Sequence, residues 1–229
     1  PPMPVALACA TVGTVGGVVS TTGLGLKLAT GIVGLAGGNL LLTLVLTMVA
    51  ALVLGTGLPT SATYIITSIM AAPALVELGV PTLVAHMFVF YFGILADLTP
   101  PTAISTYATS SIAGADVWRT QWLGMMLALS GFIIPFSFAY DPALLLMSPS
   151  VAHIAWRTMA ATLGIVMLGA GLIGYFRAPT RRWERAALLV GSLLLIFPGT
   201  WSDTAGLACF AAVLVSQRAA RLARAARPA

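Results

Sequence analysis

Residues 55–60 read Gly-Thr-Gly-Leu-Pro-Thr and residues 97–102 read Asp-Leu-Thr-Pro-Pro-Thr, and each run interrupts a long apolar stretch. In a bilayer every backbone polar group must find a partner, so unwound backbone at membrane depth is tolerated only where it is buried in protein or lines a polar cavity. These interruptions, called the first break and the second break below, therefore predict a transport site.

The composition places the chain in a membrane. Hydrophobic residues make up 59% and charged residues 7%, the mean hydropathy is +1.01, and soluble domains carry roughly a quarter charged residues. Most of the basic residues cluster at 177–185 and 218–227. Such clusters indicate membrane orientation and not nucleic-acid binding. Cys9 and Cys209 are single residues in distant apolar segments, which predicts neither a disulfide nor a metal pair.

The first break separates two short arms, 40–54 and 60–74. At 1.5 Å per residue each arm is about 22 Å long, which is less than the roughly 30 Å of a hydrocarbon core. The sequence therefore predicts a re-entrant hairpin over about 39–75, with Asn39 as the N-cap of its first arm.

The second break divides one interrupted transmembrane helix over about 82–114. The fold class predicted is an all-α integral membrane protein, with the re-entrant hairpin and this discontinuous helix in residues 1–146 and a transmembrane extension with a basic tail in 147–229. The basic clusters place the side that carries them in the cytoplasm. Further predicted segments are a span over 5–26, a connector or interfacial helix over 28–38, spans over 122–140 and 151–175, and a short hairpin over 186–216 interrupted at Pro198.

The breaks create helix ends with specific chemistry. Pro59 and Pro100 suit the first helical position and Thr99 can be an N-cap, so both second half-helices begin at the breaks with N-termini that favour an anionic group. The first half-helices end at Leu54 and near Ala96, leaving unpaired carbonyls that can coordinate a cation. This arrangement is typical of sodium- or proton-coupled secondary transporters.

Single polar residues have simpler interpretations as well. Asp97 is an acid at predicted membrane depth, which indicates function by default, although it could merely cap a helix or pair with a missing partner. His86 is predicted to be a packed histidine. His153, Trp156 and Arg157 are predicted to be interfacial anchors near the end of a span.

Four runs carry a resemblance to a known family: Gly55–Ile65, Ala72-Pro73, Leu78–Pro81 and Phe92–Ala103. Over about residues 20–146 the chain resembles the second repeat of the large membrane subunit of TRAP transporters, and in particular the fused permeases of the TAXI branch. The turn from Pro198 to Asp203 is similar to theirs as well.

The resemblance implies an elevator-type importer built from two inverted repeats in the bacterial cytoplasmic membrane. It implies a periplasmic solute-binding protein that delivers an organic acid, a small membrane subunit or its fused equivalent, and no cofactor besides coupling sodium or protons. Because the chain begins Pro1-Pro2, we expect it to be the tail of a longer polypeptide whose first half is missing. The residues expected to contact substrate or ion are Gly55, Gly57, Pro59, Thr60, Ser61, Thr63, Asp97, Thr99, Pro100, Pro101 and Thr102.

Two other classes of function stay open at this point. An intramembrane enzyme could use Asp97 with Asp141 as paired carboxylates, although Asp141 precedes Pro142 at the end of a span and should lie at the surface. A structural or assembly subunit is the other alternative. The predicted transporter is not an enzyme. Substrate-dependent ion flux would distinguish it from both the intramembrane enzyme and the assembly subunit.

Overall fold

The computed structural model describes residues 21–56, 58, 60–100 and 103–225, together with positions 10, 14, 17 and 18. Within these residues the chain is helical, apart from turns and one isolated β-bridge between Tyr175 and Pro179, and the predicted all-α class is confirmed. The helices, numbered in chain order, are α1 (Leu24–Ala36), α2 (Leu40–Gly55), α3 (Thr60–Met70), α4 (Ala72–Glu77), α5 (Thr82–Ala96), α6 (Ile104–Ala113), α7 (Val117–Leu127), α8 (Leu129–Tyr140), α9 (Val151–Ile173), α10 (Arg182–Ile196) and α11 (Thr200–Ala225).

The chain divides into two compact units, Pro1–Ala139 and Tyr140–Ala229. Both breaks lie in the first unit, and helices α9, α10 and α11 form the second. The predicted division after residue 146 assigns functional roles to the two parts, and those roles stay a prediction.

Two stretches of the described chain are long and apolar enough to cross a membrane. They are Val117–Tyr140, which contains α7 and α8, and Val151–Ile173, which is α9. These stretches coincide with the two ordinary spans that the sequence predicts. Helices α1, α2 and α5 are apolar but shorter.

The connector predicted over residues 28–38 is part of a longer helix. Gly23 has a φ of 65°, and α1 begins at the next residue and continues to Ala36. The predicted span over 5–26 therefore does not run through to its expected end at Leu26. Most of that span lies outside the described residues.

Both arms of the predicted hairpin are helical. Asn39 caps α2, because its Oδ1 accepts a hydrogen bond of 3.1 Å from the Leu42 N–H, which confirms the predicted cap. The second arm is wrong in length: α3 ends at Met70, and α4 carries Pro73 in its first turn. Proline has no N–H to donate and its ring clashes with the preceding turn, which favours the interruption between α3 and α4.

The second half of the interrupted helix begins later than predicted. Helix α6 starts at Ile104, and the preceding Ala103 adopts a left-handed conformation with a φ of 31°; the predicted start at Thr102 lies outside the described residues. Pro100 is a turn residue and not the first residue of this helix. Pro101 explains why Pro100 is not helical, because the residue before a proline is disfavoured in the α region.

The second unit is built from three helices in sequence, with α10 packed on both α9 and α11. Helices α10 and α11 are joined at residues 197–199, as the interruption at Pro198 predicts. Glycines let these helices approach closely: a Cβ built on Gly206 would lie 2.9 Å from the carbonyl oxygen of Gly191. Cys209 has a free thiol and packs here, because a Cβ on Gly191 would lie 2.8 Å from its Cβ. Small residues at such positions are typical of helix pairs in membranes.

Candidate functional site

The first break lies directly against the end of α5. A Cβ built on Gly55, the last residue of α2, would lie 2.7 Å from the Cβ of Ala96 and 2.8 Å from the Cγ2 of Thr63. Real Cβ atoms do not approach so closely, so only glycine fits here without displacing a neighbour. Because Ala96 directly precedes Asp97, the two breaks are brought together at this contact.

Thr63 occupies the centre of this contact. It is fully buried, and a Cβ built on Gly93 of α5 would lie 3.0 Å from its Cγ2. Its hydroxyl donates a hydrogen bond of 3.4 Å to the carbonyl oxygen of Leu58 inside the first break. Thr63 thus connects α3, α5 and the unwound backbone.

The first turn of α3 presents polar groups outward. Thr60 and Ser61 are exposed, as is Thr56 on the other side of the break. The Thr56 hydroxyl donates to the carbonyl oxygen of Val53, and the Thr56 N–H bonds to the same oxygen at 3.3 Å. The end of α2 is therefore partly satisfied by its own neighbours.

Asp97 and Ser105 form a bridge across the second break. Asp97 is half-buried and follows α5, and its N–H donates a hydrogen bond of 3.1 Å to the carbonyl oxygen of Ile94. The Ser105 hydroxyl, in the first turn of α6, donates to the Asp97 carboxylate. Ser105 could not be identified from the sequence, because an aspartate and a serine eight residues apart form no recognisable motif.

Thr99 does not cap α6, contrary to the prediction. Its hydroxyl donates a hydrogen bond of 2.7 Å backward to the carbonyl oxygen of Leu95. The last carbonyls of α5 are also not unpaired: Leu95 accepts from the Leu98 N–H at 3.0 Å, and Ala96 accepts from the Thr99 N–H at 3.2 Å. A tight turn satisfies these groups, and Asp97 places a carboxylate at this end of α5.

Four of the predicted site residues lie outside the described residues: Gly57, Pro59, Pro101 and Thr102. Their roles stay predictions. Of the others, Gly55, Thr63 and Asp97 lie around the contact between the breaks, Thr60 and Ser61 begin α3, and Thr99 and Pro100 form the turn after α5.

His86 is half-buried and connects α5 to α3. Its Nδ1 lies 3.1 Å from the Tyr64 hydroxyl, and the Tyr64 ring also packs edge-on against Phe90. This environment agrees with the predicted packed histidine. It holds α3, which follows the first break, in place on α5, which precedes the second.

The second unit contains a charged cluster that the sequence pattern does not predict. Arg157, a predicted interfacial anchor, is 2% exposed. Its Nη1 lies 3.1 Å from Asp203 Oδ1 and its Nη2 donates a hydrogen bond of 3.0 Å to the carbonyl oxygen of Ile196. The prediction is wrong because Arg157 has a carboxylate partner. A buried arginine is tolerated when a carboxylate compensates its charge, whereas a buried arginine without a partner is strongly destabilising.

Asp141 and the remaining predicted anchors complete this cluster. The Asp141 carboxylate lies 2.9 Å from His153 Nε2 and 3.4 Å from Arg157 Nε. The Trp156 Nε1–H donates a hydrogen bond of 2.8 Å to Asp203. Both carboxylates are thus engaged in ion pairs within the second unit.

Comparison with known proteins identifies the family. The family model described as "Tripartite ATP-independent periplasmic transporter, DctM component" matches residues 3–153, a range that contains both breaks. No curated protein and no solved structure matched the chain. The chain therefore belongs to the DctM component family of tripartite ATP-independent periplasmic transporters, which is a family of transporters and not of enzymes.

Proposed function

We propose that this chain is the part of an ion-coupled permease that holds the substrate and its coupling ion at the two breaks. The observation that carries the proposal is the contact of Gly55 with Ala96, because it brings the unwound backbone of both breaks and the Asp97 carboxylate to one place. In secondary transporters, discontinuous helices supply substrate and ion sites at such places.

The electrostatics of the site divide it into two parts. The N-terminus of α3 carries partial positive charge and exposes the hydroxyl-bearing residues Thr60 and Ser61, which favours a carboxylate group of an organic acid. Asp97 carries negative charge at the end of α5, where the partial charge of the helix is also negative. Its carboxylate therefore favours a sodium ion or a proton.

The family membership also indicates partners and place. A DctM component is a membrane permease that works with a periplasmic binding protein and a small membrane subunit. We propose further that the substrate is an organic acid and that transport follows an elevator movement. We also propose that the small subunit is fused to the same polypeptide, as in TAXI-type permeases, and that the protein lies in the bacterial cytoplasmic membrane. The satisfied carboxylates of the second unit give no support to a catalytic role.

Uptake in proteoliposomes tests the proposal. The full polypeptide is reconstituted with its binding protein outside, and accumulation of labelled organic acids is followed under an inward sodium gradient, an inward proton gradient, or neither. We expect accumulation that needs both the binding protein and one of the gradients. If no solute accumulates under either gradient while the partner subunits still assemble, the chain is an assembly subunit and the proposal is wrong.

The re-entrant hairpin is tested by side-specific labelling. Asn39 and Glu77 lie at the outer ends of α2 and α4 and are both exposed, and two arms that return to the same side would leave both in the periplasm. In a variant without Cys9 and Cys209, Asn39→Cys and Glu77→Cys should react with a membrane-impermeant maleimide in intact cells.

Exposed Arg119 provides the matched control for the labelling. It follows the interrupted helix and is predicted to be cytoplasmic, so Arg119→Cys should react only after the cells are opened. Reaction of Asn39→Cys and Glu77→Cys from opposite sides would show two full crossings and refute the hairpin.

A further inference from the structure

Most of the positive charge of the protein lies in the second unit. Eight of the eleven lysine and arginine residues lie in residues 177–227, and all eight are arginine. They follow α9, begin α10, or lie in and after the last turns of α11. The arginine end, as it is called below, comprises the five of them whose side chains the structure describes: Arg177, Arg181, Arg182, Arg185 and Arg218.

Hydrogen bonds hold the three helix ends together. The Arg177 N–H donates a hydrogen bond of 3.1 Å to Gln217 Oε1 of α11. Arg185 Nε, at the start of α10, donates a hydrogen bond of 2.7 Å to the carbonyl oxygen of Gly171 in α9. Glu184 accepts a hydrogen bond of 2.6 Å from the Ser216 hydroxyl of α11. Arg177, Arg181, Arg182, Arg185 and Arg218 therefore share one surface, although they are up to 41 positions apart in sequence.

The charge of this surface is almost unbalanced. Among the described residues from 174 to 225, the acids are Asp203, at the other end of α11, and Glu184. Burial raises the pKa of Glu184, but hydrogen bonds from Ser216, the Arg181 backbone and Gln217 outweigh it and lower the pKa overall. Glu184 is thus ionised, but it is buried, with 2% of its surface exposed. The five arginines Arg177, Arg181, Arg182, Arg185 and Arg218 are all exposed.

Two exposed aromatic residues mark the depth of this end in a membrane. Trp183 is 48% exposed and Tyr175 is 55% exposed, and both lie among the arginines. Tryptophan and tyrosine concentrate at the level of the lipid headgroups, with their rings against the apolar region and their polar atoms in the interface. In a membrane, this preference would put the arginines beside them at the level of the lipid phosphates.

We propose that the arginine end is a binding surface for anionic phospholipids, whose headgroup phosphates it holds between α10, α11 and the turn after α9. Guanidinium groups bind phosphate oxygens with paired hydrogen bonds, and the attraction of a basic segment to an anionic leaflet grows with each arginine near the surface. The proposal requires only that the helices be embedded in a membrane. It does not depend on the substrate or on the transport mechanism.

The test compares lipid binding by two charge-matched double variants. The 229-residue chain in neutral detergent is titrated with phosphatidylglycerol or with phosphatidylcholine, and bound lipid is counted by native mass spectrometry at several salt concentrations. Arg181→Gln with Arg218→Gln removes two charges from the arginine end. Lys27→Gln with Arg119→Gln removes two exposed charges from the first unit and is the control.

We expect the unaltered chain to prefer phosphatidylglycerol and to lose that preference as salt rises. The arginine-end variant should bind phosphatidylglycerol at least tenfold more weakly, since each arginine near the surface contributes about fivefold, whereas the control should change less than twofold. Arg181→Lys with Arg218→Lys keeps the charge and should retain most of the binding.

Four results would overturn the proposal. They are equal binding of the two lipids, equal losses in the two double variants, loss of binding in the lysine variant, and displacement of the lipid by millimolar inorganic phosphate or short duplex DNA. The last result would identify a site for soluble phosphates. Thermal unfolding of each variant ensures that only folded protein is compared.

Discussion

Asp97→Asn is expected to abolish ion-coupled uptake while leaving the protein folded. The substitution removes the negative charge that α5 contributes beside the contact of Gly55 with Ala96. Two unit charges about 4 Å apart near a protein surface attract each other by about 4 kcal/mol, so loss of the charge should weaken cation binding by roughly a hundredfold or more. The amide oxygen can still accept the hydrogen bond from Ser105, so the second break should keep its conformation.

The measurement is initial uptake rate against sodium concentration and against pH, in the reconstituted full polypeptide. Asp116→Asn is the matched control, because Asp116 is an exposed acid that caps α7 by accepting a hydrogen bond of 2.7 Å from the Arg119 N–H, and asparagine caps helices about as well as aspartate. The control should transport normally. If Asp97→Asn also transports with unchanged ion and pH dependence, the carboxylate is structural and the ion site lies elsewhere.

A substitution at Ser105 perturbs the same carboxylate less strongly than Asp97→Asn does. Its hydroxyl bonds to the Asp97 carboxylate across the second break, so it orients the charge without supplying one. Ser105→Ala should therefore shift the ion concentration for half-maximal uptake and leave coupling intact. This partial phenotype would separate orientation of the carboxylate from its charge.

The sequence predicts the helices of the first unit well where local chemistry decides them. Asn39 caps α2 as expected, and the breaks fall where glycine and proline interrupt the apolar pattern. The prediction is wrong where two local preferences compete. Pro100 alone would suit a helix start, but Pro101 disfavours the α region at the position before it, and Pro100 is a turn residue.

Contacts between residues that are distant in sequence could not be predicted from helix caps, glycines and prolines. Nothing in the pattern indicates that Gly55 meets Ala96, since the pairing depends on how α2 packs on α5. Likewise Arg157 and Asp203 are 46 positions apart. A single basic residue near the end of a span has the same sequence signature whether it faces lipid headgroups or a buried carboxylate, and only the packing of α11 on α10 decides between them.

Arg157→Met is expected to be the most destabilising substitution in the second unit. Arg157 is 2% exposed, pairs with Asp203 and Asp141, and donates to the carbonyl oxygen of Ile196. Removing one partner of a buried ion pair leaves an uncompensated charge and costs about 3–5 kcal/mol. The free energy of unfolding in mild detergent should fall by that amount, together with the protection of α10 and α11 against proteolysis.

Two further variants separate charge from packing in this cluster. Arg182→Met, at an exposed arginine of the same unit, should change stability by no more than about 0.5 kcal/mol. Arg157→Met combined with Asp203→Leu removes both charges of the shorter pair, and replacing a buried pair by apolar groups is often nearly neutral, so the double variant should be more stable than Arg157→Met alone. Asp141 would still pair with His153 at 2.9 Å. If the single and double variants were equally unstable, the packing of the arginine stem, and not the ion pair, would hold α9, α10 and α11 together.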